Sequence, residues 1–396
     1  MKAEFLRPKI KGDKIIWTIY LILSIVSLIF VFTSIGRVTY RINGDITFLL
    51  LKHAGIICLG IFATYIASRI KYDNYGKRTN VFYVFFAVIL LLTLVLGSLF
   101  GKDANRWLVI PLIGLQIQPS EIAKYFLIIY VAFELKTLQH QIKEWNNFFF
   151  LILKIGLICG LIFFENFSTA GIIFLSCFIL LYIAGARAKD LLKVILVGVV
   201  ILSIVFGLYY AGVEIGRVAT WINRIVGYSN NDPNEYNQMN SAIMAIATGG
   251  LTGRGIGNTI EGRFLSESHN DFIFAIILEE GGIVMCVFLL LAYLVLFYRC
   301  IRVSREAKGV FGSNLAMGIS LVIIIQTLIN MLVATGLIPV TGQTLPFVSY
   351  GGSSFLVSSF ALGIILNISS ANATAKKEQI EQEENSQIDN INTEEA

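Results

Sequence analysis

The stretch "HNDFIFAIILEE", residues 269–280, places Asp271 at the start of an apolar run and two further acids, Glu279 and Glu280, about two helical turns inside it. Acids at or within a membrane segment are expensive, so each is a candidate functional or tightly bonded group. Asp271 ends a polar run, which would hold its carboxylate at the interface, within reach of a hydroxyl proton. Cations collect at a similar depth. Glu121 and Lys124 are three residues apart and share a helix face, Lys52 sits about five residues into another apolar run, and Arg106 and Arg263 fall in neighbouring polar segments. One acid among several cations can activate a hydroxyl and hold an anion. A structural ion pair for Glu121–Lys124 and a snorkelling Lys52 are the plainer alternatives. For Glu279 and Glu280, hydrogen bonding between helices is expected. His53 and His269 are isolated, so the sequence offers no metal-ligand set.

The elements that must position these groups are membrane helices. Of 396 residues, 56% are hydrophobic and 14% charged. The apolar residues come in runs of about 20, the length that crosses a ~30 Å hydrocarbon core. The pattern predicts an all-α polytopic membrane protein with ten spans: 16–35, 47–68, 81–100, 120–138, 148–165, 168–186, 191–212, 271–298, 313–335 and 351–370. Residues 1–15 form an N-terminal tail. Placing that tail inside puts 20 of the 31 Lys and Arg residues in inner segments and 8 in outer ones, so both termini are expected to be cytoplasmic. The basic balance then reflects topology and not nucleic-acid binding. The acidic tail, 371–396, has almost no aliphatic residues, and disorder is expected. The five cysteines show neither a disulfide framework nor metal-ligand spacing.

Three outer segments read as built. In 101–124, Pro119–Ser120 is expected to start a helix, with Ser120 as its cap. The large extracytoplasmic loop, 213–270 between spans 7 and 8, is too long for a passive connection. It contains a helical apolar pattern at Met239, Ala242, Ile243, Ile246 and Ala247, stopped by Gly249–Gly250. "GRGIG" (253–257) is expected to be a tight irregular loop, not a nucleotide site. The third, "GLIPVTGQTLPFVSYGGSS" (336–354), has no charge and reads as a cavity wall, offering Ser349 and Tyr350 toward a substrate. Together these segments suit an amphipathic substrate with its greasy part in lipid and its polar head outside.

"NRW" (105–107), "QPSEIAK" (118–124), "GGLTGRGIGN" (249–258), "HNDFIFAIILEE" (269–280) and the 336–354 segment together resemble the SEDS family, the bacterial shape, elongation, division and sporulation proteins that include FtsW, RodA and SpoVE. The resemblance runs from span 2 to span 10. It implies a ten-span glycosyltransferase of the bacterial cytoplasmic membrane that polymerises lipid II, the undecaprenyl-pyrophosphate-linked disaccharide peptide, on the outer face. It implies a class B penicillin-binding protein as partner, Asp271 as the essential acid, and Lys52, Arg106, Glu121 and Lys124 as cavity residues. "FENFSTAG" (164–171) departs from the usual Pro-Asp-Leu-Gly-Thr-like run, but Asp271 stays in register. "GQTLPF" and "QMNSAIMAIATGG" are closer to the division type than to the elongation type, which implies divisome partners and enrichment at the septum. No cofactor is required by this reading, although a divalent cation, Mg or Mn, could assist the pyrophosphate. The contrasting expectation is a lipid-linked-sugar flippase or other transporter, favoured by "EEGG" (279–282), where Gly-Gly beside acids can break a helix at mid-membrane.

Overall fold

The computed structural model describes residues 11–42, 46–100, 108–110, 115–212, 218, 220–222, 224, 233–261 and 270–394. A helix stands at each of the ten expected spans: α1 (Lys14–Ile42), α2 (Ile46–Arg69), α3 (Thr79–Phe100), α4 (Pro119–Leu138), α5 (Trp145–Glu165), α6 (Phe167–Ile183), α7 (Ala188–Tyr210), α9 (Ile273–Arg305), α10 (Val310–Ala334) and α11 (Gly352–Glu394). A further helix, α8 (Pro233–Gly249), lies in the large loop where the apolar pattern places it and packs against α9. A small antiparallel hairpin, β1 (Leu108–Ile110) with β2 (Leu115–Ile117), precedes α4. Helices dominate because an apolar medium offers backbone groups no other partner. Among the described residues, seven helices are long and apolar enough to cross a membrane, and α3 and α6 contain shorter apolar helices. The fourth element, α4, carries Glu121, Lys124, Glu134 and Lys136.

The most deeply buried helix is α10, which contacts α4, α6, α9 and α11. The helices α2 and α11 run in close contact. A Cβ on Gly363 would lie 2.5 Å from the Thr64 carbonyl oxygen, and the Thr64 hydroxyl donates to the Ser359 carbonyl at 2.9 Å. Small residues let membrane helices approach this closely. The least covered helix is α7, whose Leu196, Val197, Val200 and Ile204 are each more than half exposed, as lipid-facing residues are. Lys154 Nζ lies 2.9 Å from Glu134 and ties α5 to α4.

Two expectations need correction. Ser120 does not cap α4; Pro119 opens the helix, Gln118 is the N-cap residue without a side-chain bond, and Ser120 is buried in the first turn. The tail expected to be disordered continues α11 as helix to Glu394. A membrane helix already supplies the nucleus that an isolated segment would have to form, and Lys, Glu and Gln are good helix formers.

Candidate active site

The polar centre is organised by two side chains of α10. Gln326 and Asn330 are four residues apart, so they share a face, separated by about 6 Å along the axis. Each joins a charged candidate to the 336–354 wall.

On the deeper rung, Lys124 is buried with 1% of its surface exposed. Its Nζ lies 2.7 Å from Glu121 Oε2 and donates to Gln326 Oε1 at 2.8 Å. Gln326 Nε2 donates onward to the Thr344 carbonyl at 2.9 Å, and the Thr344 and Ser354 hydroxyls meet at 3.1 Å. The ion pair is therefore fastened to helix and wall at once, which offsets part of the desolvation of both charges.

On the outer rung, Asn330 Nδ2 donates to the Asp271 carbonyl at 2.8 Å and to the Gln343 carbonyl at 2.7 Å. Gln343 Nε2 reaches the Thr169 hydroxyl at 3.1 Å, so the start of α6 joins the same wall. Asn166 caps that helix by accepting from Thr169 N at 3.2 Å; the departure from the family pattern thus leaves a working cap. Asp271 is only half-buried, and its carboxylate lies beside Gly342, where a Cβ would approach Oδ2 at 3.6 Å.

The rest of the wall is a folded-back segment. Phe347 has φ 64, and Ser349 Oγ accepts from Leu345 N at 2.7 Å while Ser349 N donates to the Leu345 carbonyl at 2.9 Å. Tyr293 donates its hydroxyl to the Pro346 carbonyl. Leu345, Phe347 and Val348 are buried, so this segment is a plug in the bundle as well as a wall. Tyr350 is half-buried, with its ring 5.2 Å from that of His53. His53 is buried and bonded to Ser27 at 2.9 Å. Lys52 stands half-buried beside His53 on α2.

An apolar cavity of about 540 Å³ opens beside the deeper rung, between α2, α4 and α11. Ile122 and Tyr125, which flank Lys124 on α4, line it together with Phe62 and Phe360. The Tyr125 hydroxyl is tied to Ser358 at 3.0 Å, so the cavity presents rings and methyl groups.

Of the residues singled out in the sequence, the structure joins Glu121, Lys124 and Asp271 to one wall, and places Ser349 and Tyr350 in that wall. Arg106 and Arg263 lie outside the described residues. Gln326, Asn330 and Gln343 were not foreseen; two amides four apart inside the apolar run 313–335 were the available signal.

Where bonding between helices was expected for Glu279 and Glu280, the structure brings a loop to this level of α9. Gly282, with φ 66 and ψ −168, breaks α9, and the 249–261 loop fills the break. Arg254 N and Gly255 N donate to the Glu279 and Glu280 carbonyls at 2.9 and 3.0 Å, and Ile283 N and Val284 N donate to the Gly250 and Leu251 carbonyls at 3.0 and 3.3 Å. The glycine-rich stretch is thus a structural insert. The Glu279 carboxylate bonds to this loop, at Thr259, Ile260 and Glu261.

With this geometry in place, comparison with known proteins decides the family. A family model described as "Cell cycle protein", covering FtsW, RodA and SpoVE, matches residues 13–374. The chain belongs to the SEDS family. A probable peptidoglycan glycosyltransferase FtsW of Coxiella burnetii (strain RSA 493 / Nine Mile phase I) is 34% identical over 329 residues, which is 80% of this chain and 85% of that protein. The stage V sporulation protein E of Bacillus subtilis (strain 168) is 32% identical over 368 residues, 91% of this chain and 98% of the other. Among solved structures, a chain of a peptidoglycan synthase complex aligns with TM-score 0.67 at 22% identity, covering 91% of this SEDS chain and 98% of that chain. RodA of Thermus thermophilus aligns with TM-score 0.62 at 22% identity, covering 92% and 98%. These two likenesses concern the fold.

Proposed function

We propose that this SEDS protein is a peptidoglycan glycosyltransferase that polymerises lipid II on the outer face of the bacterial cytoplasmic membrane. The observation that carries the reading is the pair of rungs on α10: a half-buried acid at the rim and a buried cation one turn below, both fixed to the same wall. The acceptor sugar hydroxyl attacks the anomeric carbon of the donor. A new C–O bond forms there, and the bond to the pyrophosphate oxygen breaks with inversion. Asp271 takes the hydroxyl proton as general base. The pyrophosphate leaves with the electron pair, and Lys124 and Lys52, with Arg106 and Arg263 from the outer segments, supply positive charge toward it. Glu121 holds Lys124 in place, while Ser349 and Tyr350 form the wall against the sugar head. The apolar cavity beside Ile122 and Tyr125 suits the hydrocarbon part of such a substrate.

A divalent cation would fit this site through Asp271 and the substrate's own phosphates. Among the described residues no three His, Cys, Asp or Glu side chains gather, whereas Asp271 together with substrate phosphates matches the way Mg²⁺ is bound by one or two carboxylates. Such an ion would neutralise pyrophosphate charge when bound.

The finer assignments belong to the same proposal. They comprise ten spans, both termini in the cytoplasm, a membrane domain over 16–370, a class B penicillin-binding protein with other divisome proteins as partners, and work at the septum. The asymmetry of Lys and Arg supports the orientation, and the names of the FtsW relatives support division. The transporter alternative loses its main support, because the break in α9 is filled by loop backbone. Purified protein given lipid II in detergent tests the proposal. Glycan polymer is expected; no polymer, with transbilayer movement of lipid II in liposomes, would replace the enzyme by a transporter.

A further inference from the structure

The upper half of α9 runs from the turn at Asp271 down to the break at Gly282. Two turns of helix are not stable alone, so their position depends on what holds their ends. Asn330 holds the top through the Asp271 carbonyl. The bottom is held by the 249–261 loop, through Arg254 N and Gly255 N on the last carbonyls. Besides the backbone bonds at 250–255, the far end of the loop is held by the Glu279 side chain. Its carboxylate accepts from the Thr259 hydroxyl and from the backbone N–H groups of Ile260 and Glu261. Glu279 is buried, with 0% exposed, and it closes a ring: its carbonyl takes the loop at Arg254 and its carboxylate takes the loop again at 259–261.

The joint has no slack. A Cβ on Gly253 would lie 2.1 Å from the Glu280 carbonyl oxygen, and one on Gly282 would lie 2.4 Å from Gly253 N. Loop and half-helix must therefore move together. The break at Gly282 is about 16 Å below Asp271 at ~1.5 Å per residue, so a tilt of about 4° there displaces the Asp271 end by about 1 Å. A misplacement of that size can cost ~10²-fold in rate.

We infer that Glu279 is a positioning residue for Asp271, clamping the 249–261 loop into the break of α9 and so setting the height and tilt of the half-helix that presents the acid. The inference rests on the reading of Asp271 as general base.

The test uses the full-length protein in detergent with lipid II, and measures turnover and KM per folded enzyme. A second readout is the distance between spin labels on cysteines introduced by Ile256→Cys and Leu337→Cys, after the native cysteines are replaced; these sites are 63% and 66% exposed. Glu279→Ala is expected to lower kcat about 10²-fold, to leave KM within roughly threefold, and to broaden the distance distribution. In Glu279→Gln one amide oxygen still accepts both backbone N–H groups and the side-chain N–H₂ can donate to Thr259. It should keep at least roughly a third of the turnover and a narrow distribution. Unchanged kcat in Glu279→Ala overturns the inference, whatever the distances do. A Gln variant as impaired as the Ala variant also overturns it, because the clamp would then be irrelevant to the loss. If Glu279→Ala does not fold, Thr259→Val replaces it, with about a tenfold loss of kcat expected and unchanged kcat as the contrary result. Asp271→Asn is measured alongside. Normal polymerisation by that variant removes the base reading and its catalytic consequence, while the distance distribution still decides the clamp.

Discussion

The two rungs on α10 are built from the same parts and meet solvent differently. At the deeper one, Lys124, Glu121, Gln326 and Thr344 form a closed network with the lysine 1% exposed. At the outer one, Asn330 and Gln343 fix the backbone at Asp271 and the wall, but the Asp271 side chain itself stays half-exposed. A closed network binds its charges into the stability of the fold; an acid whose backbone is pinned and which is only half-buried can be reached from outside without unfolding anything. Position is thus fixed on both rungs, while only the outer one is accessible.

The contrast is broken most forcefully at Lys124. Lys124→Ala leaves Glu121 as an uncompensated buried acid, and the expected loss of stability is about 3–5 kcal/mol, read as a lowered thermal midpoint in detergent. The double variant Glu121→Gln, Lys124→Met removes both charges and should recover most of that stability. Its polymerisation should still fall at least about tenfold if the cation assists the pyrophosphate; a stable and fully active double variant would make the pair purely structural.

Asn330→Ala comes next. It leaves the Asp271 and Gln343 carbonyls without their shared donor, an expected destabilisation of roughly 1–3 kcal/mol, together with about a tenfold loss of kcat from a less fixed acid. If Asn330→Ala proves more destabilising than Lys124→Ala, the assignment of stability to the deeper rung is reversed. Ser349→Ala should have the smallest effect, about 1 kcal/mol for one turn hydrogen bond with kcat nearly unchanged. A tenfold fall in its rate would show instead that the hydroxyl touches the substrate.

Much of this arrangement was legible in sequence because its signals are local. Apolar runs of membrane length locate the helices, the i, i+3 spacing puts Glu121 and Lys124 on one face, and the polar-to-apolar transition marks Asp271. What was not legible depends on contacts between distant segments. The break at Gly282 is stabilised by backbone from Gly250 to Gly255, and no periodicity reports that two stretches of main chain will pair. Gln326 and Asn330 are two amides within an apolar run, and their role depends on the 336–354 wall that folds back over them. The helical tail was missed because composition measures whether a segment can fold alone, whereas residues 371–394 extend a helix that already exists.

The central claim is that Asp271 removes the acceptor proton, and the rate of lipid II polymerisation by purified Asp271→Asn tests it most directly. The substitution keeps size and the bonded backbone and removes the base. The expected result is a loss of ~10²-fold or more, with thermal midpoint and lipid II binding near those of the unsubstituted protein. Glycan made at more than roughly a tenth of the normal rate, set against that expected loss, would contradict it.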